Sequence, residues 1–148
     1  MKGLFDANAI VNLVANEASK AADATSGGFV LSLTFFEIGN SIWKIHQLLK
    51  KLSIDEARSL LEVCMQLLAR LEILNLTRDD AVQIMELASA HRITFYDASY
   101  LYASNKNRLP LITDDARLGR VAHQEKIETL SSTSTIRNLP SNNQDNSE

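Results

Sequence analysis

Apolar residues along this chain follow two periods. Short unbroken runs, Leu4-Phe5, Phe29-Val30-Leu31 and Leu111-Ile112, lack polar alternation and predict strands buried on both faces. Between them the apolar positions recur at three- and four-residue steps. Ile10, Val11 and Val14 predict a helix over residues 7–14, and Phe35, Ile38, Ile42, Ile45, Leu49 and Leu52 predict a long helix over 34–52. Ser53 followed by Glu56 forms a capping box that opens the next helix, running to about Arg70. Residues 72–76 make a brief strand. Thr77-Arg78-Asp79-Asp80 repeats the capping pattern ahead of a helix to about His91. A further helix over 94–107, a strand over 109–113, a short helix over 116–123 and an edge strand over 126–130 complete the series.

Strands alternating with helices in this way predict an α/β fold of three layers, α/β/α, around a central parallel sheet of four or five strands. At 148 residues the chain has the length of one ordinary domain. We place that domain at residues 1–130. Residues 131–148 are rich in Ser, Thr, Asn and Pro, with Ile136 and Leu139 as the only large apolar side chains, which predicts a mobile tail or a docking strand.

Composition excludes more than it identifies. With 45% hydrophobic and 22% charged residues the chain is not of disordered type. The single cysteine, Cys64, rules out an intrachain disulfide or a cysteine zinc site, and no run reaches the roughly 20 apolar residues that a membrane span requires, so a cytoplasmic protein is expected. A net charge of -3 argues against a broad basic face for nucleic acid. Local basic residues beside a metal would still suffice for a nuclease.

The acids carry the chemistry. Asp6 ends the first strand, Glu37 stands in the first turn after the second, Asp115 follows the strand through Thr113, and Asp97 opens the helix beginning at Thr94. In a parallel α/β sheet the strand C-termini share one edge, and ligands bind in the crevice there. Neighbouring carboxylates raise one another's pKa and call for a compensating cation, and an oxygen-only donor set selects Mg²⁺ or Mn²⁺. Such ions activate water and neutralise the charge of a phosphodiester under attack. In this reading Asp6, Asp97 and Asp115 are metal ligands, directly or through water, while Glu37 binds a second metal or orients the water. A competing explanation is that each acid is a helix cap, a role that contributes about 0.3–1 kcal/mol through the helix dipole. Thr34-Phe35-Phe36-Glu37 and Thr94-Phe95-Tyr96-Asp97 both have the spacing of a capping box.

Four segments resemble, in order, the motifs of PIN-domain nucleases: Leu4-Phe5-Asp6-Ala7-Asn8-Ala9-Ile10, Ser32-Leu33-Thr34-Phe35-Phe36-Glu37-Ile38, Phe95-Tyr96-Asp97-Ala98-Ser99-Tyr100-Leu101 and Leu111-Ile112-Thr113-Asp114-Asp115-Ala116-Arg117-Leu118. The length resembles that of VapC-type toxins of toxin-antitoxin pairs. This resemblance implies a Mg²⁺- or Mn²⁺-dependent RNA endonuclease, usually a homodimer silenced by a cognate antitoxin protein. It implies catalytic acids at Asp6, Glu37, Asp97 and Asp115, with Asn8 and Thr113 in support. Asn8 stands where serine or threonine is frequent in the family. Asp114 is left ambiguous, since the Thr-x-Asp pattern selects Asp115.

Other side chains are weaker candidates. Lys44, Lys50, Lys51, Arg117 and Arg120 are either an RNA path or solvated helix faces, and Trp43 with Leu48 either a dimer or antitoxin surface or ordinary core. His46, His91 and His123 have no ligand spacing. The alternative function is a PIN-like module that binds without cleaving. A phosphatase would want a second acid at the position of Asn8, and a receiver domain a lysine where Thr113 and Asp115 stand.

Overall fold

The structure, a computed structural model, describes residues 2–140. Five short strands form one fully parallel sheet: β1 (Leu4–Phe5), β2 (Phe29–Leu31), β3 (Glu72–Leu74), β4 (Leu111–Ile112) and β5 (Thr129–Leu130), in the order β3-β2-β1-β4-β5. Among the described residues seven α-helices accompany them: α1 (Ala7–Ala24), α2 (Leu33–Trp43), α3 (Ile54–Leu68), α4 (Ala81–His91), α5 (Phe95–Asn107), α6 (Ala116–Gln124) and α7 (Ser132–Arg137).

Strand periodicity divides the core between the two faces of the sheet. Phe5, Val30 and Ile112 point into a cluster shared with α1, α2 and α3, whereas Leu4, Leu31 and Leu111 point into one shared with α5 and α6. All six are at most 2% exposed, which makes each strand apolar on both sides and accounts for the missing alternation. The three-layer expectation therefore holds. Close packing also dictates a glycine at the turn into β2, since a Cβ on Gly28 would stand 2.6 Å from Phe5 Cε2.

Several boundaries differ from expectation. Helix α1 extends ten residues past the predicted end, with Glu17 out of helical geometry (φ -143°, ψ 47°). Its second half is alanine-rich and gives little periodic signal, although Ala21 and Ala24 are buried. Helix α2 stops at Trp43 and widens into a π-turn, Lys44–Leu48, rather than continuing to Leu52. Residues 132–137 are helical where a mobile tail or docking strand was expected. Ser131 caps α7 by accepting from Ser134 N (3.1 Å), and Ile136 and Leu139 pack on the cluster around α1. Residues 141–148 of the expected tail lie outside the described residues. Among the described residues no helix is long and apolar enough to cross a membrane.

Candidate active site

From β1 the chain steps to β2 and β3 on one side, and β4 and β5 lie on the other, so the strand order reverses between β1 and β4. A parallel sheet opens a crevice at the C-terminal end of such a point. Asp6 leaves β1 at this opening, and the segment Thr113-Asp114-Asp115 leaves β4 beside it.

Two of the acids cap the helices that follow these strands. Asp6 Oδ1 accepts from Ala9 N at 2.7 Å. Asp115 Oδ1 accepts from Arg117 N and Leu118 N at 2.8 and 3.0 Å. Thr113, itself buried, joins the pair: its hydroxyl accepts from Asp115 N (3.0 Å) and hydrogen-bonds the Asp6 carboxylate. Asp97 lies in the first turn of α5, where its N–H donates to Thr94 Oγ1 at 3.0 Å.

Glu37 is held differently. Helix α2 begins at Leu33 after Ser32, so Thr34 is inside the helix and the capping box suggested by Thr34 and Glu37 does not form. Instead Tyr100 Oη donates to Glu37 Oε2 at 2.7 Å. Thr34 Oγ1 lies 2.8 Å from Tyr100 Oη and accepts from Leu31 N at 3.2 Å. Tyr100 has one hydroxyl proton and gives it to Glu37, so the Thr34 hydroxyl must donate to Tyr100. The resulting chain runs from the backbone of β2 through two buried side chains to the carboxylate.

A cleft of about 260 Å³ is lined by Asp6, Asn8, Glu37, Asp97 and Asp115, together with Ala7, Asn40, Ser41, Lys44, Tyr100 and Leu118. The four acids expected to share an edge thus share one opening, and Asn8 is with them. Asp114 is not. Its Oδ1 accepts from Ser132 N and its Oδ2 from Asn12 Nδ2, both at 2.8 Å, which ties the segment after β4 to α7 and α1. Of the basic residues considered above, only Lys44 lines the cleft, while the Arg117 guanidinium donates to Arg92 O at 2.6 Å. His46 and His91 bond elsewhere, to Leu52 O and Glu125.

Electrostatics set these acids apart from ordinary surface carboxylates. Burial pushes the Asp6 carboxyl up to about 6, and the charges of Asp114 and Glu37 add to the effect against hydrogen bonds from Thr113 and Ala9. Glu37 is raised by burial and by the charge of Asp97, opposed by the Tyr100 bond. Asp97 is raised by burial and by Asp115, with Thr94 and Arg117 acting the other way. The charges of Asp6, Glu37 and Asp97 are each disfavoured by a neighbouring carboxylate, the condition a bound cation relieves.

The donors suit a hard divalent ion. All are carboxylate oxygens, with no sulfur or imidazole among the cleft-lining residues. Among the described residues no three acidic, histidine or cysteine side chains converge into a ready-made cage. Mg²⁺ fits that arrangement, because it is commonly held by one or two carboxylates and keeps several waters.

Thr34, Asn40 and Ser41 were not singled out from the sequence as parts of this site, and Tyr100, which with Tyr96 and Tyr102 follows the third acid closely, reads from the sequence as a base-stacking or helix-packing residue and not as a partner of Glu37. A helical wheel carries some of the signal: Tyr100 is three residues beyond Asp97, and Asn40, Ser41 and Lys44 are three, four and seven beyond Glu37.

Comparison with known proteins supplies independent information. A family model described as PIN domain matches residues 4–124. Ribonuclease VapC3 of Pyrobaculum aerophilum is 30% identical over 123 residues, covering 80% of this chain and 92% of that protein. Exonuclease VapC9 of the same organism is 33% identical over 89 residues, 60% of this chain and 62% of its own length, so that match spans less than two thirds of the relative. Among solved structures, a crystal structure of a Pyrobaculum aerophilum protein superposes with a TM-score of 0.76 at 23% identity, covering 93% of both chains. A toxin-antitoxin complex from Klebsiella pneumoniae contains a chain that aligns with a TM-score of 0.52 at 24% identity, over 76% of this chain and 86% of that one. At these identities the two structures speak for the fold.

Proposed function

Because this chain belongs to the PIN domain family and to its VapC-type nucleases, we propose that it is a Mg²⁺- or Mn²⁺-dependent endoribonuclease, the toxin of a toxin-antitoxin pair. The observation that most supports this reading is the meeting of Asp6, Glu37, Asp97 and Asp115 in one cleft, with the first three carboxyls raised by burial and mutual repulsion. A pocket that only binds gains nothing from such repulsion.

Asp6, Asp97 and Asp115 are the proposed metal ligands. When bound, the ion lowers the pKa of an attacking water and neutralises charge at the phosphodiester. The chain's own side chains do the positioning. Thr113 spaces Asp6 from Asp115, and the helix caps fix one oxygen of each. Tyr100 fixes Glu37, whose raised pKa suits it to take a proton from water held in the cleft. Asn8 offers an amide at the same wall. Asp114 has a structural part in this scheme, since both its oxygens are occupied by protein donors.

Partners belong to the same proposal. Trp43 and Leu48 are 49% and 60% exposed, and they are the surface we assign to a second copy or to a cognate antitoxin. Light scattering of the purified protein, alone and with the product of an adjacent small gene, tests that assignment. Catalysis is tested by cleavage of labelled single-stranded RNA with Mg²⁺ or Mn²⁺. Cleavage abolished by EDTA and by folded Asp6→Asn and Asp97→Asn variants supports the reading. Cleavage that survives both substitutions refutes it.

A further inference from the structure

The face of α2 that carries Glu37 continues as a polar stripe. Asn40 and Ser41 in α2, and Lys44 as the first residue of the π-turn that continues it, follow at helical steps of three, four and seven residues, and all line the cleft that holds the acids. Their side chains are unengaged. Among the described residues Lys44 forms no ion pair, and none of the three makes a side-chain hydrogen bond. Exposed apolar side chains of the same helix, Phe35 and Phe36 just before Glu37 and Trp43 just before Lys44, do not line this wall. The helix thus gathers its uncommitted donors on the cleft side.

Charge makes the stripe specific. Every other ionisable side chain lining the cleft, Tyr100 apart, is a carboxylate, which repels a polyanion wherever no metal intervenes. Among the described residues Lys44 is the only cation on that wall, a point charge of the kind that binds phosphate, and amide and hydroxyl groups donate to phosphate oxygens. Seven residues of helix place its backbone about 10 Å from that of Glu37. That offset leaves room along the helix for a second phosphate beside one lying among the acids.

We propose that Asn40, Ser41 and Lys44 form a phosphate subsite that holds the RNA backbone at the linkage next to the one being cut, so that the strand runs along α2. The proposal rests on the nuclease reading for its substrate. Its test does not rest on cleavage.

Binding of a labelled single-stranded oligoribonucleotide is followed by fluorescence anisotropy across a salt series, in an Asp97→Asn background that removes turnover. Adding Lys44→Ala is expected to weaken binding about tenfold at low salt and to reduce the log-log salt slope by about 1, as loss of one phosphate contact requires. Lys44→Arg should restore both, a rescue that a folding defect would not show. Asn40→Ala with Ser41→Ala should weaken binding and leave the slope unchanged. With the acids intact, Lys44→Ala should raise KM and leave kcat within about twofold. Unchanged affinity and slope for Lys44→Ala overturn the subsite, and so does the absence of RNA binding by the Asp97→Asn protein. Lys44-dependent binding by a protein that cleaves no RNA would leave the subsite standing and refute the nuclease reading alone.

Discussion

Asp6→Asn should stabilise the metal-free protein while abolishing its activity. The Asp6 side chain is 5% exposed and its carboxyl is raised from 3.8 to about 6. Between those values the folded state keeps a proton that the unfolded state releases, so stability falls as pH rises and the cost is complete above about 6. A rise of about two pH units at roughly 1.4 kcal/mol each sets the upper limit near 3 kcal/mol. Asparagine removes the charge and keeps an Oδ1 that accepts from Ala9 N, so a gain of about 1–3 kcal/mol at pH 7.5 is expected. The assay is urea denaturation of both proteins in EDTA. Their midpoints should separate at pH 7.5 and converge near pH 4, with unchanged slope. Saturating Mn²⁺ should then stabilise the wild type far more than the variant, because binding to the native state adds stability by mass action. A variant less stable than wild type by the same margin at pH 4 and pH 7.5 would show that burial of a charge is not what distinguishes Asp6.

Removing the hydroxyl of Tyr100 leaves Glu37 without its buried donor. Tyr100→Phe should retain the fold and lower kcat about tenfold, corresponding to one lost hydrogen bond of roughly 1–1.5 kcal/mol, with KM little changed. Asp80 accepts from Thr77 N, Tyr102 Oη and Lys106 Nζ, and these donors hold its carboxyl well below the ordinary range. Its contribution is therefore complete above the usual value of 3.8 and lost as pH falls below it, so Asp80→Asn should lower Tm at pH 7 by a margin that shrinks toward pH 2. Deleting residues 131–148 uncovers the face of α1 against which Ile136 and Leu139 pack and frees Asp114 from Ser132, which should cost about 2–4 kcal/mol in urea denaturation. RNA cleavage at low temperature should persist in the truncated protein.

Local rules accounted for much of this architecture and for the place of the acids. The capping box of Ser53 and Glu56 forms as read, and Thr77 pairs with Asp80 as its spacing suggests. The identity of β1, β2 and β4 followed from unbroken apolar runs because both faces of these strands are covered, whereas β3 and β5 are edge strands with weaker patterns. Features set by distant contacts were not legible. Alanine gives no amphipathic signal, so the buried end of α1 was invisible, and α7 has only Ile136 as a large apolar residue within a polar sequence. The bond from Tyr100 to Glu37 spans 63 positions and the one from Ser132 to Asp114 spans 18, beyond any periodicity. Asp114 and Asp115 are adjacent in sequence, where the Thr-x-Asp pattern favours Asp115, and the contacts of Asp114 with α1 and α7 separate it from the Asp115 that caps α6.

Capping and metal chemistry looked like rival explanations of the acids, but the geometry is compatible with both at once. A helix cap fixes one oxygen of a short carboxylate against the backbone, which is how a rigid ligand must be held. Asp6 and Asp115 cap helices and also line the cleft. What separates an acid built into the fold from one available for chemistry is whether its charge is answered. Asp80 belongs to a capping box too, but Lys106 and two further donors satisfy it and its carboxyl is pushed down. Asp6, Glu37 and Asp97 line one cleft and none of them has a salt-bridge partner among the described residues, and all three are pushed up. Among the described residues these raised carboxyls meet at the reversal of strand order, where the charge of a divalent ion would offset the cost.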